Sequence, residues 1–248
     1  MIYLLVAIIV AGAFILGLVL GVLITKVQYL EKGVSTSGST TANTTATAPD
    51  ITTPVDVSIG HLPPQGDPNA KVKIVEFADL RCPYCEDFYK QTEPTILSNY
   101  VKTGKAVFYF RHYAFLGDPS VLAANAAECA NAQGKFWDFH NYMYDHQPSE
   151  TDTSMYTVDN LSQIAGTLGM DSGAFNSCLT AKTYQKNVDG DMSDGTSAGV
   201  QGTPAVFING MLFSGDCPTN DFTQAIDYAL AGTKFKISGS DGCTVSAQ

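Results

Sequence analysis

The sequence predicts an α/β domain carried behind a membrane-spanning N-terminal helix, and three observations predict it. Residues 2 to 25 hold no charged side chain. A β-rich run from Lys71 to Phe77 leads almost directly into Cys82-Pro83-Tyr84-Cys85. Far downstream, a Gly-Thr-Pro turn at Gly202 opens a second β-rich run through Ile208.

At 1.5 Å per residue the uncharged span makes a helix of about 36 Å, enough to cross a bilayer core. A cleaved signal peptide has a basic start and a shorter apolar stretch. Neither is found before Lys26, so residues 1–26 read as an uncleaved signal anchor. Gly17 and Gly21 have the spacing of a helix-dimer face. Lys26 and Lys32 follow the span, and on charge alone they favour a cytoplasmic C-terminal part. Large domains translocate largely regardless of charge, and the cysteine usage points outside. The expectation is therefore a single-pass cell-membrane protein whose domain is extracytoplasmic. Residues 27–59 are rich in Ser, Thr, Ala and Asn and read as a flexible tether. Asn43 and Asn160 each begin a glycosylation sequon. A net charge of -10 with no Lys/Arg cluster excludes nucleic acid as a partner.

The folded domain is expected over residues 60–248. After the first strand, Ala78 to Arg81 connect to a helix that opens at Cys82 and runs to about Val101. Pro83 suits its first turn, and Pro94 should kink it by removing an internal hydrogen bond. Ala106 to His112 reads as the next strand. Helices are expected over Val121 to Ala132, around Ala174 to Leu179, and from Thr219 to Ala231. Phe136, Trp137 and Phe139 read as core; His140 and His146 could suggest metal, but with no third ligand near them in the sequence they read as surface or capping histidines. His112 ends a strand leading toward the thiols, so a role beside them stays open. Asp79 and Arg81 are expected to shape the loop between them.

A thiol at a helix N-terminus meets unpaired N–H groups and the positive end of the helix dipole, which favour the thiolate. Cys82 is therefore the expected nucleophile, with Cys85 one turn later on the same face. Cys-x-x-Cys can also be a static disulfide or half a metal site, but the strand before it and the helix opening on it favour redox exchange. Zinc sites usually show two close ligand pairs, and only one exists here. Glu76 lies in a strand expected to be buried. There it either relays a proton to Cys85 or serves as a partly solvated structural acid. If the Thr203–Pro204 bond is cis, the Thr203 backbone is free to pair with a substrate strand.

Glu76-Phe77-Ala78-Asp79-Leu80-Arg81-Cys82-Pro83-Tyr84-Cys85, then Gly134-Lys135-Phe136-Trp137-Asp138-Phe139-His140, then Gly199-Val200-Gln201-Gly202-Thr203-Pro204 resemble, in that order, the DsbA-type thiol-disulfide oxidoreductases, and their membrane-anchored branch in particular. The resemblance spans roughly residues 60 to 232. It implies a thioredoxin fold with a helical insertion at about 119–194. It makes Cys82 the exposed nucleophile, Cys85 the resolving thiol, Pro204 a cis-proline and Glu76 the buried acid near the thiols. It also implies disulfide donation to reduced extracytoplasmic proteins, no cofactor, and a membrane redox partner that reoxidises the pair. Tyr84 and Thr203 depart from the strongest oxidants of the family. An isomerase or reductase of the same fold is thus the alternative, with a non-catalytic metal-binding module behind it.

The remaining cysteines allow three pairings. Cys129 and Cys178 fall in two helices of one predicted insertion. Cys217 precedes the last helix, and the tail from Lys234 is long enough to run back along it. The pairing expected is Cys129–Cys178 with Cys217–Cys243, both structural and both suited to an oxidising compartment. A free or intermolecular Cys243 is the alternative.

Overall fold

The computed structural model describes residues 51–239 and 242–248. The expected anchor, the tether up to residue 50 and Asn43 lie outside them. Among the described residues no helix is long and apolar enough to cross a membrane.

A four-stranded sheet in the order β2-β1-β3-β4 forms the centre. Strand β1, Val72–Ala78, pairs parallel with β2, Ala106–His112, and antiparallel with β3, Ala205–Ile208. Strand β4, Met211–Ser214, extends the sheet from β3 across an Asn209-Gly210 turn in which both residues have positive φ. Layers cover both faces, so β2 is buried at every position and β1 at all but Lys73. The two-residue period of a strand divides β1 between them. Val72 and Ile74 join Phe88, Ile96, Phe213 and Phe222 on one face, and Val75 and Phe77 join Tyr109, Tyr113 and Phe207 on the other. Glu76 has the parity of Val72 and Ile74, so it enters the layer that also holds the crossover helix.

That crossover, Pro83 to Val101, is not one regular helix. Pro83–Asp87 and Glu93–Ile96 are α-helical, and wider π turns occupy Phe88–Thr92 and Leu97–Val101. Pro94 has no N–H to return to the preceding turn, and just before it the Glu93 N–H reaches back to Phe88 O. The kink expected at Pro94 is thus taken up as a change of helical register.

Five helices, from Asp118–Asn131 to Gln185–Ser197, separate β2 from β3. Cys129 is bonded to Cys178 within this block. Arg111 of β2 holds the last of the five to the sheet. Its Nε donates to Asp191 Oδ1 at 2.8 Å, its Nη2 to Asp194 Oδ2 at 2.7 Å and its Nη1 to Ser58 O at 2.6 Å. The other Asp191 oxygen accepts the His112 N–H. Gly195 permits the close approach, because a Cβ there would lie 2.9 Å from the rings of Phe77 and Tyr113.

Two expectations need correction. The tether was expected to reach residue 59, yet Ile51 already exchanges backbone hydrogen bonds with Ile237 at 2.7 and 3.0 Å, and the Val55 N–H reaches Gly210 O. Ile51, Val55 and Val57 are apolar residues in a polar stretch; Ile51 and Val57 pack on the domain. The tail after Gly232 does not simply run back along the Thr219–Ala231 helix. It forms a hairpin, Phe235–Ser238 with Thr244–Ala247, whose Phe235, Ile237 and Val245 are buried beside that helix. Cys243 in this hairpin is bonded to Cys217.

Candidate active site

Cys82 is the N-cap of Pro83–Asp87, with extended backbone, and Pro83 occupies the first turn. The loop that presents it is closely held. Asp79 accepts the Arg81 N–H on one oxygen and the Phe115 and Leu116 N–H groups on the other. Arg81 donates to Leu116 O and Glu150 O, both at 2.9 Å, and its guanidinium lies 5.1 Å from the Tyr156 ring centre. The loop carbonyls are claimed as well: Tyr144 donates to Asp79 O, Tyr156 to Leu80 O, and Gln147 to Leu80 O and Cys82 O. Asp79 and Arg81 thus sit where loop-shaping residues should, while Gln147, Tyr144 and Tyr156 gave no sequence signal for this task.

Cys82 and Cys85 are free thiols, both buried, Cys85 completely. The exposed nucleophile implied by the resemblance is therefore mostly covered, at 3% exposure, and Tyr84 beside it stands out at 61%. The Thr203–Pro204 bond is cis, and Cys82 Sγ donates to Thr203 O at 3.4 Å. Strands β1 and β3 lie side by side, which brings residues 121 apart into contact. A groove of about 820 Å³ opens next to the pair, lined by Tyr84, Gln201, Thr203, Leu212, Asp216 and Ile237.

The two thiols are pushed in opposite directions. The Cys85 thiol, donating to the Cys82 sulfur, is the largest influence on Cys82. Burial opposes it, Thr203 and the Cys85 and Tyr84 N–H groups add to it, and the thiol comes down to about 6. Burial raises Cys85 well above an ordinary thiol, and the Cys82 sulfur raises it further. Glu76, also fully buried, is raised well above the carboxylate range, first by burial and then by the charges of Glu93 and Cys82. The arrangement favours ionisation at Cys82, opposes it at Cys85 behind, and opposes it again at Glu76 deeper still.

The histidines divide. His146 is exposed and stacks on Tyr142. His140, expected at the surface or as a cap, is instead wholly buried. It follows Phe136 by four residues, so it shares that residue's inward face of the Phe136–Asp145 helix. His112 lies 3.4 Å from Glu128, which also takes His61 at 2.8 Å and Asn187 at 3.1 Å. Burial opposes ionisation of Glu128, yet these hydrogen bonds bring its carboxyl down to about 2.

A profile of the Thioredoxin family matches residues 60–228. Probable disulfide bond formation protein D of Bacillus cereus is 32% identical over 168 residues, covering 66% of this chain and 77% of the relative. Disulfide bond formation protein D of Bacillus subtilis is 28% identical over 178 residues, covering 71% and 80%. Among solved structures, oxidised BdbD of Bacillus subtilis superposes with a TM-score of 0.68 at 26% identity, over 73% of this chain and all of that one. DsbA of Chlamydia trachomatis, at 20% identity, shares the fold with a TM-score of 0.60 over 71% of this chain and 96% of its own.

Proposed function

The chain belongs to the Thioredoxin family and is a DsbA-type thiol-disulfide oxidoreductase; from that premise we propose that it donates disulfides to reduced extracytoplasmic proteins through Cys82 and Cys85. The asymmetry of the two thiols carries the reading. A substrate thiolate attacks Cys82 of the oxidised pair, the Cys82–Cys85 bond breaks, and Cys85 leaves with the electron pair. Glu76 supplies its proton. A second substrate thiolate then attacks the substrate sulfur of the mixed disulfide and releases Cys82 as thiolate. The backbone at Thr203, before cis-Pro204, is the docking edge for the substrate strand.

Disulfide donation is favoured when the dithiol is the stabilised form. At pH 7 a thiol of about 6 rather than 9 multiplies the dithiol population about tenfold, or about 30 mV for a two-electron couple. The bonds Cys129–Cys178 and Cys217–Cys243 support an oxidising compartment. Residues 1–26 supply the single-pass anchor of this reading, and a membrane redox partner restores the oxidised pair.

Equilibration with glutathione tests the direction. A donor has a potential of about -180 mV or higher, and a value below about -250 mV assigns a reductase instead. Cys82→Ser should abolish thiol oxidation, and Cys85→Ser should accumulate mixed disulfides with substrate.

A further inference from the structure

Beneath Cys85 three polar atoms lie buried with no hydrogen-bond partner: Glu76 Oε2, Glu93 Oε2 and His140 Nε2. They come from β1, from the crossover and from the Phe136–Asp145 helix, and one side-chain nitrogen or oxygen from each of the three residues lies within 4.8 Å of those of the other two. Unpartnered polar atoms at that depth are costly unless a proton joins them. The imidazole is set up to accept one. His140 Nδ1 lies 3.0 Å from Asn141 Oδ1, an acceptor, so Nδ1 carries the hydrogen and Nε2 presents its lone pair to the two carboxyls.

We propose that Glu93 and His140 are positioning residues of the thiol chemistry, forming with Glu76 a buried proton store for Cys85 in which His140 Nε2 passes a proton from Glu93 to Glu76. Glu76 is taken here, as above, as the acid that serves Cys85. When the substrate thiolate bonds to Cys82, the Cys82–Cys85 bond breaks and its electron pair goes to Cys85 Sγ, which takes the Glu76 proton. Glu93 then protonates the bare Nε2, and Nε2 hands that proton on to Glu76, now a carboxylate. One proton has moved from Glu93 to Cys85, and one negative charge has moved to Glu93. Reoxidation of the pair by a disulfide of its redox partner returns the proton by the same route.

The store relieves a specific conflict. A charge left on Glu76 would face the Cys82 thiolate once the substrate leaves, whereas Glu93 has the Gln65 amide 3.4 Å from its other oxygen. Burial raises Glu93 to about 8, lowers His140 to about 4 and raises Glu76 well above the carboxylate range, so burial favours protonated carboxyls and a bare imidazole. The other titratable groups around His140 are Tyr89 from the crossover, His112 from β2, and Tyr144 and Asp145 from its own helix. Tyr144 is held neutral by burial and does not compete as an acid.

The test uses the full chain, oxidised, reacting in rapid quench with a reduced cysteine peptide between pH 5 and pH 9. His140→Phe and Glu93→Gln should slow mixed-disulfide formation about tenfold at pH 8, less than the roughly hundredfold or more expected for loss of the acid itself. At pH 5, where solvent protons refill Glu76, the slowing should vanish. The solvent deuterium isotope effect at pH 8 should exceed that of the unsubstituted protein. Cys82 should still titrate near 6 in both variants. If His140→Phe does not fold, His140→Asn takes its place beside Glu93→Gln. Unchanged pH profiles in these variants, with Glu76→Gln slow, overturn the store and leave Glu76 as the acid. A normal rate in Glu76→Gln overturns both. Stoichiometric divalent metal that co-purifies with the protein and is lost in the His140 variant also overturns the store.

Discussion

Replacing Cys85 with alanine isolates what makes Cys82 reactive. The Cys85 thiol is the largest influence holding Cys82 near 6. A hydrogen bond to a charged group is worth about 1.5–3 kcal/mol, and a tenfold change in acidity is about 1.4 kcal/mol. Cys82 should therefore rise by about one to two pH units, to about 7–8. At pH 7 the thiolate share should fall from about 90% to between about 50% and 10%. Absorbance of the thiolate near 240 nm, followed across the titration, reads the pKa directly, and the rate of alkylation against pH gives an independent value. Cys85→Ser keeps a donor and should fall between the two. A Cys85→Ala protein whose Cys82 still titrates near 6 would refute the reasoning. The helix terminus and Thr203 would then suffice, and the deep thiol would serve only as leaving group.

Two further outcomes follow from buried charge. Glu93 has a folded pKa of about 8 against an ordinary 4.5, so between those values the folded protein binds the proton that the unfolded chain has lost. Its contribution is complete below about pH 4.5 and is lost as pH rises toward 8, by up to about 5 kcal/mol. Glu93→Gln lacks that slope, so its melting temperature relative to the unsubstituted protein should climb from pH 4.5 to pH 8; a pH-independent difference contradicts the buried acid. Asp191→Ala strips Arg111 and the His112 N–H of a shared partner and should cost about 3–5 kcal/mol in urea unfolding, because it leaves a buried cation half-paired. A cost under about 1 kcal/mol would mean that Asp194 and Ser58 hold Arg111 unaided.

What was legible in the sequence was local. Cys82, Pro83 and Cys85 sit within one turn, so strand, cap and helix can be read from adjacent residues, and the Thr219–Ala231 helix was readable from its own pattern. The two structural disulfides could be argued because Cys129 and Cys178 fall in two helices of one insertion and the tail that carries Cys243 is long enough to return to Cys217. Strand β4 and the terminal hairpin escaped because their four-residue strands mix β-formers with Met, Leu, Ser, Lys or Ala, whereas the equally short Ala205–Ile208 runs three β-formers together. The end of the tether escaped because Ile51 gains its place only from Ile237, which lies 186 residues away. His140 was misjudged for the same reason. Its helix reads as amphipathic, but Glu76 and Glu93 reach its buried face from elements far away in the sequence, and no spacing within the helix announces them.

The residues that were hardest to read are also the ones that constrain the chemistry most. A cap and a helix N-terminus lower the pKa of one thiol, but they do nothing to protonate its partner when the disulfide opens. Cys85 is fully buried, so water cannot readily deliver that proton, and the acid that does so must itself be buried and stay neutral. Burial supplies neutrality by penalising charge, and it does so at a cost in stability near neutral pH, as the raised pKa values of Glu76 and Glu93 imply. A fold that carries two such acids and an imidazole with one unpartnered nitrogen needs compensation elsewhere. Here two disulfides close loops with sequence separations of 49 and 26, each worth about 3–4 kcal/mol on the chain-entropy scale. Cys129–Cys178 lies in the helical block that also contributes His140, and Cys217–Cys243 ties down the hairpin that lines the groove. Reducing both while sparing the active pair should therefore leave the least stability at pH 8, where the buried acids cost most, and the most near pH 5.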